Sequence, residues 1–185
     1  MDSMVQKERL QHRLEPEIHD FREQCQTLQL ATVDSQGNPN VSYAPFVYNE
    51  EGYFVLISEI ARHARNLHEN RSLSMMMIED EGSSKQLYAR KRLTFDARAN
   101  FIERESDKWH QIIRQLQERF GPIINNLSQM KDFKLYHLTT EKGLYVKGFG
   151  KAYHVSSEDL IDFVHLDKGH EPVSKMHVFP ELQKV

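Results

Sequence analysis

Apolar residues gather in four short runs early in the chain, separated by turn formers and one brief change of period. The runs are residues 28–34 (LQLATVD), 41–48 (VSYAPFVY), 53–58 (YFVLIS) and 73–78 (LSMMMI), and their β-branched, aromatic and apolar content predicts strands. SQGNPN reverses the chain between the first two, because Gly37 tolerates positive φ and Pro39 presets its own. Glu50, Glu51 and Gly52 make the next reversal. Over 60–69 (IARHARNLHE) the spacing of Ile60, Ala64 and Leu67 becomes helical and predicts a short helix packed across a barrel mouth.

The flanks extend this pattern. Residues 5–14 read as a heavily charged helix, and Pro16 suits the first turn of a second helix running to about 26, docked through Ile18, Phe21 and Cys25. Residues 79–84 (EDEGSS) form an acidic connection to a strand-like run over 85–102. Alternation there sends Arg90 and Arg92 to one face and Lys91 to the other. Residues 105–120 predict a helix capped by Ser106, with Trp109, Ile112, Ile113, Leu116 and Phe120 as its apolar face and Gly121-Pro122 as its stop. A helical turn or two over 123–130 leads to strands at 133–138 and 144–154, with 139–143 as the turn between them. Gly148 and Gly150 mark a bend or a close backbone approach. Ser156 and Asp159 have capping-box spacing and predict a helix ending near His165, followed by an aperiodic tail free to reach over a neighbour. Six to seven strands with interspersed helices make an antiparallel α+β barrel. The expected division is a helical segment at 1–27, a barrel domain at 28–165 and a tail at 166–185.

At 185 residues the chain has room for one cored domain. A formal net charge of -3 gives no whole-molecule attraction to nucleic acid or an anionic membrane. Ten histidines stand against one cysteine. Cys25 alone forms no internal disulfide or thiolate cluster, which fits a reducing compartment. The amino terminus, MDSMVQKERLQHRLEPE, has no apolar core of a signal sequence, and no run approaches the ~20 apolar residues of a membrane span. A soluble, cytoplasmic protein is expected.

GxGxxG, Walker, GxSxG and HExxH patterns are missing, so the usual dinucleotide, phosphoryl-transfer, serine-hydrolase and zincin readings lose their warrant. Histidine placement remains. His63 in the short helix reads as a rim histidine, and His68, five residues on, is poorly spaced to share a ligand with it. His137 and His154 read as strand residues. His170, between Gly169 and Glu171, has no core to serve: either it idles in the tail or its ring swings toward a partner or a metal.

As an ordered set, SYAPF (42–46), GYFVLIS (52–58), ARHARNL (61–67), the Met-rich strand, RKRLTF (90–95), GLYVKGFGKAY (143–153) and DFVHLDKGH (162–170) closely resemble the HutZ branch of the HugZ/HutZ haem-utilisation family. That family lies within the FMN-binding split-barrel superfamily of pyridoxamine-phosphate oxidase. The likeness runs from the first helix to His170; residues 171–185 carry no recognised motif. It implies an α+β antiparallel split β-barrel with flanking helices, acting as a homodimer. It further implies haem bound at the subunit interface and degraded with oxygen and electrons to iron and a biliverdin-type product. In the family a carboxy-terminal histidine holds the iron, and the matching position is His170. A carboxylate of the other subunit bonds the second ring nitrogen, and the matching position is Asp132.

Such a pair has a physical logic, since an imidazole that donates its free N–H to a carboxylate is fixed in tautomer and made more basic. Without the resemblance, Asp132 reads as a turn residue leading into a strand. Arg92 is expected beside a haem propionate, or else is a solvated strand-edge charge. His63 is the further expected haem contact, and Trp109 reads as packing. The superfamily leaves an FMN-dependent oxidoreductase as the alternative, for which Arg65, Arg71, Ser58 and Lys91 are available without forming a pattern. Haem storage or delivery without turnover, and a haem-delivery partner, also stay open.

Overall fold

Buried and less buried residues alternate along much of β1, β2, β4 and β5 of the computed structural model, which describes residues 2–156 and 161–163. The strands are β1 (Thr27–Val33), β2 (Pro39–Asn49), β3 (Gly52–Ser58), β4 (Ser72–Ile78), β5 (Arg92–Ile102), β6 (Phe133–Gly148), β7 (Lys151–Ser156) and β8 (Ile161–Phe163). The helices are α1 (Asp2–Gln24), α2 (Arg62–Glu69), α3 (Asp107–Phe120) and α4 (Ile123–Gln129). The sheet order is β3-β2-β1-β4-β5-β6-β7-β8, and β3 also pairs with β6. That extra pairing closes six antiparallel strands into a ring and removes their free edges. β6 is shared: its first part closes the ring against β3, and its later part carries β7 and then β8.

Inward residues of the ring, among them Leu28, Leu30, Phe46, Val55, Met75, Phe95 and Leu138, fill the barrel together with Leu10, Leu14, Ile18 and Phe21 of α1. β3 is buried on both faces, because Phe54 and Leu56 point out of the ring into a second core under α3 and α4 with Trp109, Ile112, Ile113 and Leu116. Each such side chain contributes about 1.5–3 kcal/mol when fully removed from water. Ser106 caps α3 by accepting from the Trp109 N–H at 3.1 Å, and Gly121 ends it at φ 79°, as its sequence predicts.

Five local expectations are corrected. Pro16 does not separate two helices: α1 is continuous, because Pro16 lies on its exposed side while Leu10, Leu14, Ile18 and Phe21 keep one buried stripe. Ile60 is 76% exposed and stands outside the apolar stripe of α2, which rests on Ala64 and Leu67. β5 begins only at Arg92, so Arg90 and Lys91 do not alternate on a pleat; Arg90 donates to the Glu79 carbonyl and pairs with Glu81 at 3.1 Å. Residues 139–143 are strand, not turn; β6 runs through them and reverses at Gly150 (φ 65°). Ile161–Phe163 pairs with β7 as β8 where a helix was expected; the rest of that helix lies outside the described residues. Among the described residues no helix is long and apolar enough to cross a membrane.

Candidate functional site

Asp132 sits where β6 begins. Ser58, the last residue of β3, pairs with Phe133, so the ring closure itself delivers Asp132 to the end of β3. The Glu59 N–H donates to the Asp132 carbonyl at 2.8 Å, which fixes its backbone. The Ser58 hydroxyl donates to Asp132 Oδ2 at 2.6 Å and accepts from the Ile60 N–H at 3.2 Å. An ionised carboxylate only accepts, so in this pair the hydroxyl is the donor. Among the described residues Asp132 Oδ1 receives no hydrogen bond, so this half-buried acid keeps one acceptor open.

Next to this pair opens a cavity of about 260 Å³, lined in part by Glu59, His68, Arg71, Phe101, Lys134 and Tyr136. Lys134 pairs with Glu59 at 3.6 Å, and Phe101 meets Tyr136 edge-on with ring centroids 6.0 Å apart. Burial, then the Glu59 charge, pushes the Tyr136 phenol above its ordinary pKa. The volume is below the usual range for pockets enclosing a drug-sized ligand, so a tetrapyrrole here needs a second surface to cover it.

His63 follows Ser58 by five residues, at the Asp132 end of the barrel. It is half-buried and burial lowers its pKa, which keeps the ring neutral. α2 is locked beneath it by Asn66, whose amide donates to Thr32 Oγ1 at 3.0 Å in the core. Arg92 is elsewhere. It opens β5 opposite Ile78 and Val146, whereas Ile102, at the far end of the same strand, faces Leu135 near Asp132. At ~3.3 Å per residue, roughly 30 Å of strand separates Arg92 from the Asp132 end. One chain therefore does not bring these two residues to one flat ligand. His170 lies outside the described residues.

The outward face of the ring adds a feature that sequence reasoning missed. Gln29 lies between Tyr43 and Met76, and Ala31 between Val41 and Ser74, so three strands present an uncharged surface in a chain with 28% charged residues. Val41 is 78% and Tyr43 67% exposed on it. Arg92 faces Ile78 at the rim of this surface, on the outward side of β5. Alternation in 41–45 carried the signal, but only the register of three strands turns it into a patch. Ser58 was also missed as the partner of Asp132, since their contact spans 74 residues.

Among the described residues no three His, Cys, Asp or Glu side chains group as metal ligands. Haem asks less of the protein: the porphyrin supplies four nitrogens, and one imidazole with a carboxylate behind it completes the set. The open Asp132 oxygen fits the second of those roles.

Comparison with known proteins shows the family of the chain. Residues 14–147 match the family model described as Pyridoxamine 5'-phosphate oxidase. The chain is 66% identical over 174 residues to Heme oxygenase HutZ of Vibrio cholerae serotype O1, across 94% of this chain and 99% of that protein. It is also similar to the crystal structure of Vibrio cholerae HutZ, described there as a haem storage protein: 67% identity, TM-score 0.71, 74% of this chain and 96% of that one. Campylobacter jejuni ChuZ is similar at 31% identity and TM-score 0.80, covering 88% of this chain and 67% of that one.

Proposed function

Because the chain belongs to the pyridoxamine 5'-phosphate oxidase family, and within it to the HutZ branch of haem-utilisation proteins, we propose that it binds haem and degrades it oxidatively. Oxygen and a reductant are consumed, and iron and a biliverdin-type product are released. The observation that carries the site assignment is the half-satisfied Asp132 carboxylate, buried enough to be fixed and with one oxygen open.

In this reading the His170 imidazole of one subunit ligates the iron, and Asp132 of the other accepts its remaining N–H, holding the tautomer and raising ligand basicity. Arg92 pairs with a propionate, and His63, whose pKa burial lowers, is a further haem contact. Bound haem supplies the iron at which oxygen reacts and is itself the molecule consumed. The roughly 30 Å of strand between Arg92 and Asp132 favours a site assembled from two chains, and the uncharged face of β1, β2 and β4 favours a homodimer, with Arg92 at its rim.

Adding haemin to the purified chain is expected to produce a Soret band, and adding ascorbate in air is expected to abolish it with release of iron. His170→Ala is expected to weaken haem binding, and unchanged binding and turnover in that variant would end the ligand assignment. Two other readings have support of their own. The family model favours an FMN-dependent oxidoreductase, which predicts a yellow protein that keeps FMN through purification. The similar haem storage protein favours storage, which predicts a Soret band that survives reductant in air.

A further inference from the structure

We propose that Ser58 is a positioning residue of the haem site: its hydroxyl clamps one oxygen of Asp132 so that the other is held ready for the partner's imidazole N–H. The inference rests on the haem reading above and adds to it the group that sets the acid's orientation.

Three bonds make the clamp. The Glu59 N–H fixes the Asp132 carbonyl at 2.8 Å, so the backbone cannot slide along the strand end. The Ile60 N–H donates to the Ser58 oxygen at 3.2 Å and holds the hydroxyl in place. The hydroxyl donates to Asp132 Oδ2 at 2.6 Å, a separation typical of a hydroxyl bound to a carboxylate. An aspartate without the clamp rotates about its side-chain torsions and offers either oxygen in several directions. A carboxylate that must meet a ring arriving from another subunit gains by having that freedom removed beforehand. Ser58 also ends β3, whose Val55, Leu56 and Ile57 are all buried, so the clamp stands on a rigid strand.

The test uses the full chain with haemin. Wild type, Ser58→Ala, Ser58→Thr, Asp132→Ala and the double variant Ser58→Ala/Asp132→Ala are titrated with haemin through the Soret band, and thermal melts of the haem-free proteins report folding. Ser58→Ala is expected to weaken haem binding about tenfold, the scale of one hydrogen bond to a charged group, without a matching loss in the melt. Ser58→Thr, which keeps the hydroxyl, is expected to bind as wild type does. In the Asp132→Ala background Ser58→Ala is expected to cost nothing further, because a residue acting through Asp132 has nothing left to orient. Should the alanine variant fail to fold, Ser58→Cys, a weaker donor, carries the same comparison with a smaller loss. Full binding by Ser58→Ala while Asp132→Ala is impaired overturns the proposal alone, as does an equal loss from Ser58→Ala with and without Asp132. Unchanged haem binding in Asp132→Ala overturns the assignment of Asp132 itself.

Discussion

β6 has an acid at each end, and the two are treated differently. Toward its later part, Glu17 of α1 takes a hydrogen bond on each oxygen: Tyr145 donates to Oε1 at 2.9 Å and Lys147 to Oε2. At its start, Asp132 takes one bond, from Ser58, and keeps an oxygen open. Tyr145 is fully buried, so Glu17 serves as the acceptor its hydroxyl needs and ties α1 to the sheet. The contrast separates an acid whose valences are closed inside the chain from one with capacity for something outside it. By that criterion Glu17 belongs to the fold, and Asp132 is the acid we propose for the site.

Breaking the closed acid is expected to have the largest effect. Glu17→Ala leaves the buried Tyr145 hydroxyl without its acceptor and Lys147 without its partner, and is expected to destabilise the chain by about 2–3 kcal/mol in urea or thermal unfolding, with haem affinity of the folded protein unchanged. Asp132→Ala sharpens the other half: stability of the haem-free chain changes little, while haem binding weakens about 10–100-fold, as when an outer-shell partner of a metal-binding histidine is removed. Tyr145→Phe keeps the ring and deletes only its bond to Glu17, with an expected loss of about 1 kcal/mol.

Two smaller effects appear on acidification. Burial pushes Glu17 up, but the hydrogen bonds from Lys147 and Tyr145 and the Lys147 charge outweigh it and hold the carboxyl below the ordinary glutamate range. A lowered folded pKa means a contribution present above the unfolded value of about 4.3 and lost as pH falls through the folded one. Stability of wild type is therefore expected to drop more steeply below pH ~4.3 than that of Glu17→Gln. His63 is also lowered, by burial, so its neutral form contributes above about pH 6.5 and that contribution fades below it. His63→Gln flattens the stability profile in that upper window by a fraction of the wild-type slope.

The front of the barrel was legible because four strands and a helix follow one another with only short turns, so local residue type decides each element. The back was less so, and β6 shows why. Its middle, TTEKG, has turn composition, yet Thr139, Glu141 and Lys142 simply face solvent on a continuing strand. Gly143 is there for space: a side chain at that position would collide with the Phe95 ring and stand 2.9 Å from the Val155 carbonyl. Composition does not distinguish a glycine needed for a turn from one needed for close packing. Pro16 misleads in the same way, because its tolerance depends on which side of α1 meets water. Asp132 was reached through a family likeness; its clamp by Ser58 was not, since only the closing of β3 on β6 brings the two together.

The central claim is that one subunit supplies the imidazole and the other the acid. His170→Ala and Asp132→Ala proteins, each impaired alone, can be mixed, allowed to exchange subunits and titrated with haemin. About half of the resulting dimers are mixed, each with one cleft in which His170 and Asp132 come from different chains. A tight, wild-type-like Soret band appearing only in the mixture is the predicted result; a mixture that binds no better than its two parents would contradict the account.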